Sequence, residues 1–272
     1  MGSLHSLPKA IPCAIYAPDR EISQVAVVAE NVPRALAEMA SKMVEHNVNI
    51  LSGLITSGPG EGPGMFAMFL DLTEADIALD ELLEELRALD SISGAEVVVK
   101  KVGDMAIDGT SHHTSFLGGR AVVLDVDDMS AMFRWLAETF SSGGNAILFD
   151  MGEKVGSSAA RRLMDLYGLR GRELVETFLA LHVAAGWFSY ELLECNEESL
   201  VVRVRLHENF ECLPLADTLG RPASHLVRGA LAGLLKEAYG ADFKVVEVSC
   251  LAKGDPFCEF LAVSRGERRP AR

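Results

Sequence analysis

The sequence predicts an α+β protein in two parts, and three observations lead to that expectation. The first hundred residues alternate strand-like and helix-like patterns in the order βαββαβ. Residues 102–117 then lose periodicity and gather glycine, serine and histidine, as a linker does. Beyond them, helical patterns accompany two pairs of strand patterns, each pair joined by turn residues, which reads as several helices packed on an antiparallel sheet.

In the first part, Ile22-Ser-Gln-Val-Ala-Val-Val-Ala29 has the apolar, β-branched content of a buried strand. Asn31-Val-Pro-Arg34 turns it into a helix, with Asn31 placed as N-cap and Pro33 in the first turn. Leu36, Met39, Ala40 and Met43 then share one face, and His46-Asn-Val-Asn49 ends the helix. Residues 50–56 read as a strand. Gly58-Pro-Gly-Glu-Gly-Pro-Gly64 is a loop, because four glycines and two prolines in seven residues sustain no regular element. Residues 65–72 form the next strand, 76–89 a second amphipathic helix and 95–101 the last strand. This order is that of the ferredoxin-like split βαβ unit. On these elements, and on the Asn31-Val-Pro-Arg34-Ala-Leu-Ala entry and Asn47-Val-Asn49-Ile50, residues 20–101 resemble an ACT domain. The resemblance implies a regulatory module that dimerises and binds an amino acid through Asn31 and the backbone of residues 31–36. Family members usually carry a glycine after the proline, whose small size lets a ligand approach the loop. Arg34 stands there instead, so a purely dimerising role is the alternative.

The second part opens after Arg120 with Ala-Val-Val-Leu-Asp-Val126, which reads as a short strand. Helices are expected over 128–141, 145–167 and 171–185; the second carries Gly152 and Gly156, four apart on one face, which permits close helix contact. Strands follow over 187–195 and 200–207, joined by Asn196-Glu-Glu-Ser199. A loop covers 213–223, and a helix over 224–239 repeats the four-residue glycine spacing at Gly229 and Gly233. A hairpin of residues 243–250 and 257–263 closes the chain. The adjacent His112 and His113 have no acidic or thiol neighbour in sequence and read as part of a solvated linker.

The closing hairpin carries the chemistry. In Glu247-Val-Ser-Cys250-Leu-Ala-Lys-Gly254-Asp-Pro-Phe-Cys258, a turn at Gly254-Asp255 sets two thiols opposite each other, with a carboxylate three residues upstream. That is a partial metal-ligand set. Plain core packing is the alternative, since free cysteine is among the most buried residue types. Glu247 and Cys250 point to opposite faces of a regular strand, so sharing a metal requires a bulge. The five cysteines are an odd, uneven set, which favours free thiols or ligands over a disulfide framework. No cationic neighbour marks either hairpin thiol as a nucleophile.

Residues 115–265 resemble the 4-vinyl reductase domain family, which includes hydrocarbon-binding proteins. The resemblance rests on the glycine pair of Gly152-Glu-Lys-Val-Gly156, on Ser224-His-Leu-Val-Arg-Gly229-Ala-Leu-Ala-Gly233, and on the 247–258 hairpin. It implies an apolar small-molecule pocket beside a structural zinc held by Glu247, Cys250, Cys258 and a cysteine at the start of the late helix. Ser224 stands at that last position, leaving Cys212, His225 or water to complete the set. Candidates for the pocket are Phe149, Phe178, His182, Trp187, Phe188 and Phe210, with His182 or His207 bonding a polar end of the ligand.

A formal net charge of −14 argues against a direct nucleic-acid partner, and no apolar run approaches the ~20 residues of a membrane span. The start Met1-Gly-Ser-Leu-His lacks a secretion-signal pattern, which points to the cytoplasm; the basic end 265–272 reads as solvated. The chain shows no P-loop, dinucleotide fingerprint or triad motif. The expectation is a homodimeric, non-enzymatic sensor of an apolar small molecule that acts through an unidentified protein partner or its own assembly. An enzyme or accessory factor of tetrapyrrole or hydrocarbon metabolism is the alternative, although vinyl reduction needs a hydride source and no motif to hold one is present. A third reading is an interaction scaffold, which a filled interior would favour.

Overall fold

The structure, a computed structural model, describes residues 9–57, 62–110, 114–117 and 119–266. Residues 58–61 of the expected glycine-proline loop, His112, His113 and the chain ends 1–8 and 267–272 lie outside the described residues. The fold is α+β, and the chain divides into two compact units, Met1–Val122 and Val123–Arg272.

In the first unit, β1 (Ala14–Tyr16) precedes β2 (Ile22–Ala29), α1 (Pro33–Glu45), β3 (Asn49–Thr56), β4 (Gly64–Asp71), α2 (Leu79–Arg87) and β5 (Ile92–Val97). The main sheet has the antiparallel order β3-β4-β2-β5, the arrangement expected of the split βαβ unit. Val25, Val27, Phe66, Met68 and Leu70 pack with Met39 and Met43 of α1 and Leu82, Leu83 and Leu86 of α2, forming the core. Asn47, at φ 53°, takes the left-handed conformation that stops α1, as the expected helix end required. The cap at the other end differs from expectation: Val32 occupies the N-cap position without a side-chain bond, and Pro33 begins the helix, leaving exposed Asn31 in the turn before it.

Two further departures follow β5. Residues 95–101 do not form one strand, because the chain leaves the main sheet after Val97; β6 (Lys100–Val102) and β7 (Met105–Ile107) then make a hairpin, turned at Gly103 with φ 56°. This hairpin pairs with β1 and places Ala106 against Ile22 and Phe69. Buried Gln24 is satisfied there by Asp108 and by the Gly109 N–H. Residues 102–117, expected to be a linker, therefore carry structure, including β8 (Thr114–Phe116), which pairs with β9 (Gly119–Ala121). The strand expected after Arg120 is absent: Val122, Val123 and Leu124 are exposed, and Asp125 instead caps a helix by accepting the Asp127 N–H at 2.7 Å.

The second unit contains α3 (Val126–Phe140), α4 (Ser142–Tyr167), α5 (Gly171–Ala184), β10 (Ser189–Asn196), β11 (Val201–His207), α6 (His225–Tyr239), β12 (Phe243–Ser249) and β13 (Cys258–Ser264). Its sheet has the antiparallel order β10-β11-β13-β12. The two glycine pairs face each other across α4 and α6. A Cβ on Gly152 or Gly156 would run into the carbonyl of Leu226 or Ala230, and one on Gly229 or Gly233 into that of Phe149 or Glu153. The backbones thus touch directly, which the four-residue spacing permits and a larger residue would prevent. Between α5, α6 and the sheet the interior is filled: the gap among Val175, Leu231 and Phe260 amounts to about 10 Å³.

Candidate functional site

The start of α6 is a junction of buried polar groups. Four donors, the Cys212, Cys250 and Cys258 sulfurs and a Glu247 carboxylate oxygen, lie within 4.8 Å of one another, and all four residues are buried. Glu247 comes from β12 and Cys258 from the first position of β13, while Cys250 follows the end of β12. The register between β12 and β13 slips between Glu247 and Ser249, so the bulge that the three-residue spacing demanded is present. The intervening loop is closed by Asp255, whose carboxylate accepts the Cys250 N–H at 2.8 Å, and turned by Gly254 at φ 98°. Cys212 arrives from the segment after β11 and sits 3.5 Å from Cys250, sulfur to sulfur.

Ser224 ties the donors together. Its hydroxyl donates to Glu247 Oε1 at 2.6 Å, lies 3.0 Å from Cys212 Sγ and accepts from the Asn209 amide at 2.9 Å. Its backbone N–H reaches Glu247 Oε2 at 3.1 Å. The Cys212 and Cys250 thiols, with the Leu251 N–H and the Asn209 amide, stabilise a thiolate on Cys258, which holds that thiol below its ordinary range. The same bonds, with burial, push Cys212 up. Burial raises the Glu247 carboxyl to about 8 against the two Ser224 bonds.

Three thiols and a carboxylate are donors that zinc accepts, at ~2.0–2.3 Å in a tetrahedron whose ligand atoms stand about 3.3–3.8 Å apart. The 3.5 Å separation of Cys212 and Cys250 falls in that range, so the residues fit a structural metal site. Of the two replacements for a cysteine at position 224, Cys212 joins the cluster and His225 does not; His225 faces a cleft instead. Glu45, His46 and Glu85 also converge within 4.8 Å, but Lys42 bonds both glutamates at 2.7 and 3.1 Å, which makes that group an ion-pair network.

The cleft beside the cluster measures about 460 Å³. Phe133, Ala137 and Leu148 from α3 and α4 form one wall; Leu215, Leu219 and Ala223 from the 213–223 loop form the other. Glu211 lies at its base and accepts the Leu226 and Val227 N–H groups, each at 2.8 Å. It caps α6 from a distant part of the chain, while burial pushes its carboxyl up to about 8.

The aromatic candidates fall elsewhere. Phe178 stacks on His182 with ring centres 3.9 Å apart, His182 meets Trp187 edge-on at 4.6 Å, and Trp187 meets Phe210 at 5.0 Å. Phe188 stacks more distantly on His182. His182 donates Nδ1–H to the Phe178 carbonyl, and burial lowers its pKa, so it is a neutral member of an aromatic core. That core reaches the cleft through Phe133, 6.3 Å from Phe210, a residue the sequence reading passed over. Phe149 lines a separate cleft, and His207 is bonded to Glu191 on the sheet.

A two-unit α+β chain with a cluster of three cysteines and a glutamate on its closing hairpin is thus defined, and the comparisons bear on each unit. Residues 202–264, which include that hairpin, match the family model of the 4-vinyl reductase domain. An uncharacterized protein of Methanocaldococcus jannaschii, MJ0150, is 27% identical over 127 residues, 45% of this chain and 66% of its own length. The chain thus spans just under two thirds of that relative. Among solved structures, the phenol-responsive sensory domain of the transcription activator PoxR, determined with phenol, is 18% identical with a TM-score of 0.49, covering 55% of this chain and 79% of that one. An ACT domain from the GTP pyrophosphokinase of Chlorobium tepidum is 12% identical with a TM-score of 0.24, covering 29% of this chain and 97% of that one. Among the described residues, no helix is long and apolar enough to cross a membrane.

Proposed function

We propose that the second unit binds an apolar small molecule in the 460 Å³ cleft and that a zinc ion on Cys212, Glu247, Cys250 and Cys258 braces its wall. One observation carries this reading: the segments 211–215 and 223–225 supply both cluster and cleft. Cys212 and Ser224 belong to the first; Glu211, Leu215, Ala223 and His225 line the second. A metal that fixes Cys212 fixes the residues on either side of it, and the volume lies within the range of small-molecule pockets. The protein is then a cytoplasmic sensor or regulator without catalytic activity, and its first unit a dimerising module. Edge strand β3, with Ile50, Leu51, Leu54 and Ile55 exposed, supplies the surface for a second copy. An unidentified protein partner receives the signal.

Naphthalene and phenol titrated into zinc-loaded protein, with and without a chelator, test the coupling. The expected result is saturable binding of at least one probe that weakens tenfold or more when zinc is withdrawn. Equal binding with and without metal would refute the brace, and no binding of either probe would refute the cleft. A second reading, an interaction scaffold, draws on the filled interior and on Met132, Trp135, Ile147, Met151 and Val155, exposed along α3 and α4.

A further inference from the structure

A second cleft, of about 520 Å³, opens between the first turns of α4 and the start of β12. Its chemistry differs from the first. Arg228, Lys244 and Arg265 line it against one carboxylate, Asp150, a concentration of positive charge in a chain whose formal net charge is −14. Among the described residues, none of these three cations lies within ion-pair distance of a carboxylate. Arg228 is the best placed. Its guanidinium lies 5.0 Å from the centre of the Phe149 ring, and its polar neighbour is His225 Nδ1 at 3.5 Å from Nη2. Its Nε, buried, has no hydrogen-bond acceptor among the described residues. Buried donors are nearly always bonded, and the guanidinium fork matches a carboxylate in geometry and charge. Phe149, Phe243, Ala146 and Val246 supply apolar surface to the same cleft.

We infer that this cleft binds an organic carboxylate, its oxygens on Arg228 with Lys244 nearby and its apolar body against Phe149 and Phe243. The site goes beyond the sensor reading, since it uses neither the metal cluster nor the first cleft's apolar walls. A purely structural cation–π contact between Arg228 and Phe149 is the competing explanation, and it predicts no ligand.

Calorimetric titration of the full chain with sodium benzoate, sodium octanoate and, separately, inorganic phosphate decides between them. The expected result is saturable binding of benzoate or octanoate at one per chain. Arg228→Gln should weaken it at least tenfold, and Ala146→Phe, which fills the cleft from the exposed side of α4, should abolish it with the far-UV spectrum unchanged. Should R228Q fail to fold, A146F alone gives the answer. Unchanged affinity in these variants, binding of phosphate alone, or no saturable binding would each overturn the assignment.

Discussion

Ser224 shows how one hydroxyl organises a site it does not complete. A cysteine there would put a fourth ligand at the start of α6; the serine instead holds Glu247 and touches Cys212, which brings a thiol from twelve residues upstream. The cluster's hairpin half was legible in sequence because Glu247, Cys250 and Cys258 are local to one another. The choice between Cys212 and His225 was not, since it depends on how the 208–213 segment folds back onto α6. Glu211 left no sequence signal at all, because the N–H groups it caps belong to residues 226 and 227. At the surface of the first unit, His46 bonds Glu85 at 3.0 Å and Asp76 at 3.2 Å, which raises its pKa above 6.5, while Glu85 is held below 4.5 by His46 and Lys42. The His46 contribution to stability is complete below 6.5 and is lost as pH rises through the raised value; that of Glu85 is complete above 4.5 and is lost as pH falls through the lowered value. The pair therefore acts fully between those limits. Proton NMR titration should place the His46 midpoint above 6.5, returning towards it in Glu85→Gln; a wild-type midpoint at or below 6.5 would contradict the network.

At the scale of elements, the interlocked glycines of α4 and α6 fix the packing on which the cluster and both clefts stand. Gly156→Ala would drive a methyl into the Ala230 carbonyl, an overpacking that costs about 1–3 kcal/mol or more when neither backbone can yield. Urea unfolding of the variant should show a lower midpoint; Gly143→Ala, whose added Cβ meets nothing closer than 3.8 Å, should cost far less. Equal midpoints would show that the two helices can separate freely. The strand-level misreadings share a cause. Residues 121–126 are apolar enough for a strand, but their side chains from Val122 to Leu124 find no partner strand, and Asp125 starts a helix. Residues 100–107 look irregular because each strand is three residues long, too short for alternation to show.

At the scale of the molecule, the order βαββαβ made the first unit legible, since its core follows from two amphipathic helices on one sheet face. The proposed dimer rests on the edge of that sheet. A charged substitution such as Ile55→Lys on β3 should shift the protein from dimer to monomer in light scattering, and a monomeric wild type would remove this role from the first unit. The larger claim is that a metal held by Cys212 braces the ligand cleft. Native mass spectrometry of the intact chain, beside Cys212→Ala and His225→Ala, tests it most directly. The account predicts one zinc per chain in the wild type and in H225A, and less than a tenth of that in C212A. A metal-free wild type, or zinc retained in C212A and lost in H225A, would contradict it.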